Sequence, residues 1–174
     1  MHRSQRAPAA HHGSAYPRWP AALLALGVAL SACTGAAAQD VAAWRVECTG
    51  DGKSLDCRAV QQLIHSQTRQ SLVLVLVRRA QDPKSASITM VLPLGLNLTA
   101  PVQIRVDNGK PESHHIQTCT NTGCFLAMTA GPGLVTQLRN GKLLKITLQD
   151  ANKKPVEMAL PLLGFSIAFD KARG

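Results

Sequence analysis

The sequence predicts an all-β fold, a β-sandwich or barrel-like arrangement of about 10–12 short antiparallel strands with two disulfides. Three observations predict it. Apolar segments are short and punctuated by turn residues. Alternation of period two appears where one face of a strand should be wet. No stretch after the leader carries a convincing 3.6-residue apolar stripe. The chain has 174 residues, 45% of them hydrophobic and 17% charged, which suits one globular domain and not a disordered tail.

The leader comes first. Residues 1–20 hold Arg3, Arg6 and Arg18 and no acid, and the apolar run Ala21–Ala32 follows. A basic head, a short apolar run and small residues behind it make a secretory signal, too short for a comfortable membrane span. Two processing sites compete. Ala36-Ala37-Ala38 before Gln39 satisfies the small-x-small rule, giving a signal peptide over 1–38 and a single domain over 39–174. Leu30-Ser31-Ala32-Cys33 resembles a bacterial lipobox, in which the cysteine thiol is lipidated and becomes the N-terminus. Cys33 is therefore the lipidation candidate, and acyl chains on it would anchor the protein to a membrane without a spanning helix.

The strands are expected at 43–48, 55–63, 71–78, 86–92, 94–98, 102–106, 114–119, 123–129, 134–139, 143–148, 156–160 and 165–169. Val102, Ile104 and Val106 face one way while Gln103, Arg105 and Asp107 face the other, a strand with one wet side. Leu72–Val77 is apolar at every position and reads as a central strand buried on both faces. Asn108-Gly109 and Asn140-Gly141 read as turns, because Asn and Gly tolerate positive φ, and Asn140-Gly141 is expected to close a hairpin. Gly131-Pro132-Gly133 reads as a turn with no helix behind it.

Five cysteines make an odd count, and lipidation or removal of Cys33 leaves Cys48, Cys57, Cys119 and Cys124. Four cysteines allow three pairings. Spacing favours Cys48 with Cys57 and Cys119 with Cys124, since each pair flanks a Gly-containing turn. Export supplies the oxidising compartment that such bonds need.

Chemistry is harder to find. His114 and His115 are adjacent, so on a strand they point to opposite faces, and His65 is isolated. No metal site and no cofactor are expected. Cys119-x4-Cys124 is not a thioredoxin-type C-x-x-C, and neither Gly-x-Ser-x-Gly nor a phosphate-binding Gly-rich motif occurs. Asp51, Asp56, Asp107 and Glu112 sit near turns, where acids serve the backbone, and no catalytic residue is assigned. With the three leader arginines gone, 16 basic residues stand against 10 acidic ones, a net of +6 without a dense stripe. Aromatics are 3% of the chain, so a base-stacking platform is excluded and no nucleic-acid partner is expected.

Several fragments together carry a resemblance. They are Trp44-Arg45-Val46-Glu47-Cys48, the second cysteine at 57, Leu92-Pro93-Leu94-Gly95, Cys119 with Gly123-Cys124, and the closing Leu162-Leu163-Gly164-Phe165-Ser166-Ile167-Ala168. In this order and spacing the chain, from about Trp44 to Phe169, resembles the invasion-associated locus B family of proteobacterial envelope proteins. The resemblance implies an exported all-β protein without known catalytic residues, linked in pathogens to host-cell entry. It implies structural roles for the four cysteines, for Trp44 as a core anchor, and for Gly95 and Gly164 at turns or close contacts. The expected function is non-enzymatic. The protein would sit in the periplasm or outer membrane, secreted or lipid-anchored, and contact an envelope or host-surface protein in invasion or envelope integrity. A small-ligand or glycan-binding module is the alternative.

Overall fold

The computed structural model describes residues 44–50, 52–82 and 84–173. The leader, Cys33, Asp51 and both processing sites lie outside them. In chain order the elements are β1 (Arg45–Gly50), β2 (Leu55–Ile64), β3 (Ser71–Arg79), β4 (Ala86–Leu92), β5 (Val102–Val106), β6 (Glu112–His114), β7 (Thr118–Thr120), β8 (Gly123–Ala130), α1 (Pro132–Asn140), β9 (Leu143–Gln149), β10 (Pro155–Pro161) and α2 (Phe165–Lys171). All strand pairs are antiparallel. One sheet has the order β1-β2-β3-β4-β8-β7 and the other β10-β9-β5-β6, and neither closes on itself.

The strand pleat decides which residues fill the space between the sheets. Alternate positions of β3, β4 and β8 point inward, so Val73, Val75, Val77, Ile88, Met90, Leu92 and Leu126 are at most 2% exposed. Val102, Ile104, Ile146 and Leu160 come from the other sheet, and both sets join one core cluster. That shared core makes the fold a sandwich. Each such side chain contributes on the order of 1.5–3 kcal/mol by leaving water.

Two expected strands are helices. Leu134–Arg139 lies within α1, where Pro132 occupies the first turn and Leu134, Val135 and Leu138 are buried. Proline suits that position because its missing N–H has no partner to lose there. Gly131-Pro132-Gly133 is consequently a helix start, and Asn140-Gly141 ends the helix instead of closing a hairpin. Gly141 has an ordinary negative φ, but a Cβ there would stand 2.2 Å from Val106 Cγ1. Close approach, not backbone freedom, requires the glycine. Phe165–Phe169 lies within α2, whose buried Phe165, Ala168 and Phe169 follow i, i+3, i+4 spacing.

Two more expectations change. Residues 94–98 form a turn with a single bridge, Leu96 to Asp150, because Gly95 takes φ 81° two residues after Pro93. The expected strand 114–119 is broken by His115–Gln117, so its ends pair in different sheets as β6 and β7. The gap is partly bridged by a side chain. Gln117 donates to the carbonyl of Ala127 and accepts from its N–H, both at 2.8 Å, standing in for a ladder pair.

Trp44 and α2 lock the two ends of the sandwich together. The indole N–H donates to the carbonyl of Pro161 at 3.0 Å, and the ring meets Phe165 edge-on at 4.9 Å. Phe165 stacks with Phe169 at 5.5 Å, and Arg139 of α1 lies over Phe169 while pairing with Asp170. Gly164 precedes α2 with φ 84°, which fits its expected place at a turn.

Candidate interaction surface

The structure joins Cys48 to Cys57 and Cys119 to Cys124. Each pair consists of directly opposed residues, on β1 and β2 and on β7 and β8 respectively. The two staples therefore fasten both outermost strands of the six-stranded sheet to their inner neighbours. The candidate histidines and acids do not converge. His114 lies 3.6 Å from Glu112 on the same short strand, and His115 is exposed. Among the described residues no group of three His, Cys, Asp or Glu side chains could hold a metal.

Asp107 works on the backbone. Its carboxylate accepts from the N–H groups of Lys142 and Leu143, at 3.1 and 2.9 Å. Those two bonds, with the Lys142 bond the larger influence, hold its carboxyl below the ordinary carboxylate range. Asp56 lies inside β2, not in a turn, and accepts from the Arg58 guanidinium at 2.8 Å. Arg78 pairs with its other oxygen at 3.2 Å. The Arg58 hydrogen bond is the main cause of its lowered pKa.

These ion pairs border a concavity on the outer face of the six-stranded sheet. It measures about 490 Å³ and its floor includes Leu74, Leu76, Val91 and Phe125. Val73, Val75 and Val77 of β3 are fully buried, but the intervening leucines are only half-buried. The expectation that this strand is buried on both faces is thus corrected: its second face is a partly covered outer surface. Register places Leu74 beside Val91 and Val91 beside Phe125 in one row. Leu76 beside Thr89 forms the next row, and Arg78 beside Ser87 the third. The outer face thus runs from apolar to cationic along the strands. An open sandwich face ordinarily carries polar side chains, which makes the apolar rows informative.

A second concavity, about 470 Å³, opens at one end between the sheets. Leu63, Leu72, Leu148 and Met158 line its apolar part, and His65, Asp150 and Glu157 its rim.

A family model described as invasion associated locus B protein matches residues 44–173. The chain belongs to the invasion-associated locus B family. The match spans the whole sandwich, from the Trp44 anchor to the end of α2. An invasion protein B homologue of Brucella abortus is 23% identical over 129 residues, 74% of each chain. Invasion protein B of Bartonella bacilliformis is 27% identical over 107 residues, 60% of this chain and 56% of that one. The crystal structure of invasion associated protein B from Bartonella henselae superposes with a TM-score of 0.69 at 26% identity. It covers 77% of this chain and 92% of its own. The invasion-associated locus B fold therefore extends across the described residues here, with the outer sheet face as its candidate contact surface.

The sequence alone did not single out Arg58, Arg78 or the Leu74–Phe125 row. β3 is apolar at every position from Leu72 to Val77 and so marks no outer face by itself, and only the register brings four strands' side chains together.

Proposed function

We propose that this invasion-associated locus B protein is a non-catalytic contact protein of the bacterial cell envelope, serving host-cell invasion or envelope integrity. One observation carries the reading: half-buried apolar side chains form neighbouring rows on the outer sheet face, where they contribute nothing to the core between the sheets. The four sheet edges favour a face over strand addition. β6 and β7 are three residues long, β10 has prolines at both ends, and β1 carries the exposed charges Arg45 and Glu47. In keeping with the leader, the protein is exported, and its N-terminus is a lipidated Cys33 or a free residue near Gln39.

The test is site-specific photo-crosslinking in the intact envelope, with the probe at Thr89 on the proposed face and at Thr147 on the outer face of the other sheet. Thr89 should yield a discrete adduct and Thr147 none. No adduct from either, or equal adducts from both, would sink the assignment. Intact mass of the native protein decides the anchor, since acylation adds a mass that signal cleavage does not.

A second reading, binding of a small apolar ligand, is favoured by the 470 Å³ opening between the sheets. Its volume lies in the usual range of small-molecule sites, roughly 300–1,000 Å³.

A further inference from the structure

Arg58 and Arg78 make an unusual neighbourhood. The β2–β3 register pairs Ala59 with Val77, and one further step sets Arg58 opposite Arg78. Like charges directly across a strand pair destabilise a sheet. Asp56 offsets this, one oxygen to each guanidinium. Two guanidiniums and one carboxylate leave a single net positive charge, and each guanidinium has five N–H donors, far more than Asp56 can use. Both arginine side chains are about half exposed, at 45% and 53%. Arg45 and Glu47, on neighbouring β1, pair with each other and do not cancel that charge.

The apolar rows begin one residue pair further along the strands. Three strands wide and two rows deep, they span about 10 Å by 7 Å. A protein partner burying on the order of 800 Å² would have to reach well beyond these rows, so the rows themselves are scaled to a smaller group within that contact face. A sheet face also presents no free main-chain groups, so it cannot add a strand by hydrogen bonding. Apolar contact next to a monocationic, donor-rich end is what remains. The opening between the sheets does not share this character, because its rim carries Asp150 and Glu157.

We propose that the outer-face concavity binds a fatty-acid-like amphiphile, with its carboxylate on the Arg58–Arg78 pair and its chain over Leu76, Leu74, Val91 and Phe125. This rests on the reading of that face as the contact surface and names the chemistry it takes. Asp56 acts as a positioning residue, holding two guanidiniums that would otherwise repel one another.

The experiment is calorimetric titration of the exported protein, disulfides intact, with dodecanoate below its micelle concentration. Dodecanol and dodecyltrimethylammonium serve as neutral and cationic controls. Dodecanoate should bind, and R58Q/R78Q should weaken it about tenfold or more. R105Q, on the other sheet, should leave it unchanged. Each variant's unfolding midpoint is measured alongside, and amide shifts on binding should cluster on β3, β4 and β8. Equal binding of the cationic control, an unaffected R58Q/R78Q, shifts at the opening between the sheets, or no binding would each overturn the proposal. If dodecanoate fails while Thr89 still crosslinks an envelope protein, the ligand assignment falls and the contact face stands.

Discussion

Removing the Cys48–Cys57 staple should cost more than removing Cys119–Cys124, by an amount set by loop length. The first links residues nine apart and the second residues five apart. In the chain-entropy treatment, closed loops of about ten and about six residues stabilise the fold by roughly 2.7 and 2.2 kcal/mol, a difference near 0.5 kcal/mol. Either is a large share of the 5–15 kcal/mol typical of a domain. Comparing oxidised and phosphine-reduced protein avoids changing any side chain. In C119A/C124A that comparison isolates the first staple, and in C48A/C57A the second. Urea unfolding at neutral pH should show the midpoint falling by about 1–2 M on reduction. Hydrogen exchange adds a local readout, because β1 has a single strand neighbour and should open first once the staple is gone. Reduction that leaves both midpoints unchanged would refute the structural role. So would a second staple worth clearly more than the first.

Other perturbations have equally definite outcomes. Asp107→Asn keeps the positive φ of 51° accessible but removes the charge that accepts the Lys142 and Leu143 N–H groups. Its folded pKa lies below the ordinary 3.8, so its contribution is present above that value and lost as pH falls through the depressed one. The stability gap between parent and D107N should therefore be full at pH 7 and close below about pH 4; a gap that is the same at all pH values excludes the charge. Gly141→Ala should destabilise by more than about 1 kcal/mol, since its Cβ collides with Val106 Cγ1 and the Gln137 carbonyl. A thermal melt with no shift would show that the turn yields freely. Phe165→Ala removes a fully buried ring packed between Trp44 and Phe169 and should cost about 3–5 kcal/mol in urea unfolding. A loss under about 1 kcal/mol would mean that α2 is not part of the cooperative core.

The sequence made some elements legible and concealed others for identifiable reasons. Val102–Val106 could be read because a single wet face imposes alternation, and the structure keeps it. Helices α1 and α2 were hidden because at nine and seven residues they are too short for periodicity to separate from strand alternation. Leu134–Arg139 looks like a strand until Pro132 is placed at a helix start. The surface was hidden at a different level. Leu74, Val91 and Phe125 are 17 and 34 positions apart in the chain, and only the β3–β4–β8 pairing makes them neighbours. LVLVLV shows no alternation in residue type, so nothing local distinguishes the face that meets the core from the face that does not.

The distribution of restraints narrows how this family member can make contact. Unpaired edge strands are the ordinary route by which a β-sandwich recruits another chain. Here short strands at β6 and β7, prolines at β10 and the exposed charges Arg45 and Glu47 on β1 disfavour edge pairing by partners or by other copies. Recognition is left to side chains. Those displayed on the larger sheet are segregated into an apolar pair of rows and a cationic row, and Asp56 keeps the arginines of that row in place. Asp56→Asn should accordingly lower stability while leaving the arginines on the face, because the Arg58–Arg78 repulsion would lose its counter-charge. If D56N were neutral in urea unfolding yet bound dodecanoate no differently, the carboxylate would be a bystander and the positioning role would fail.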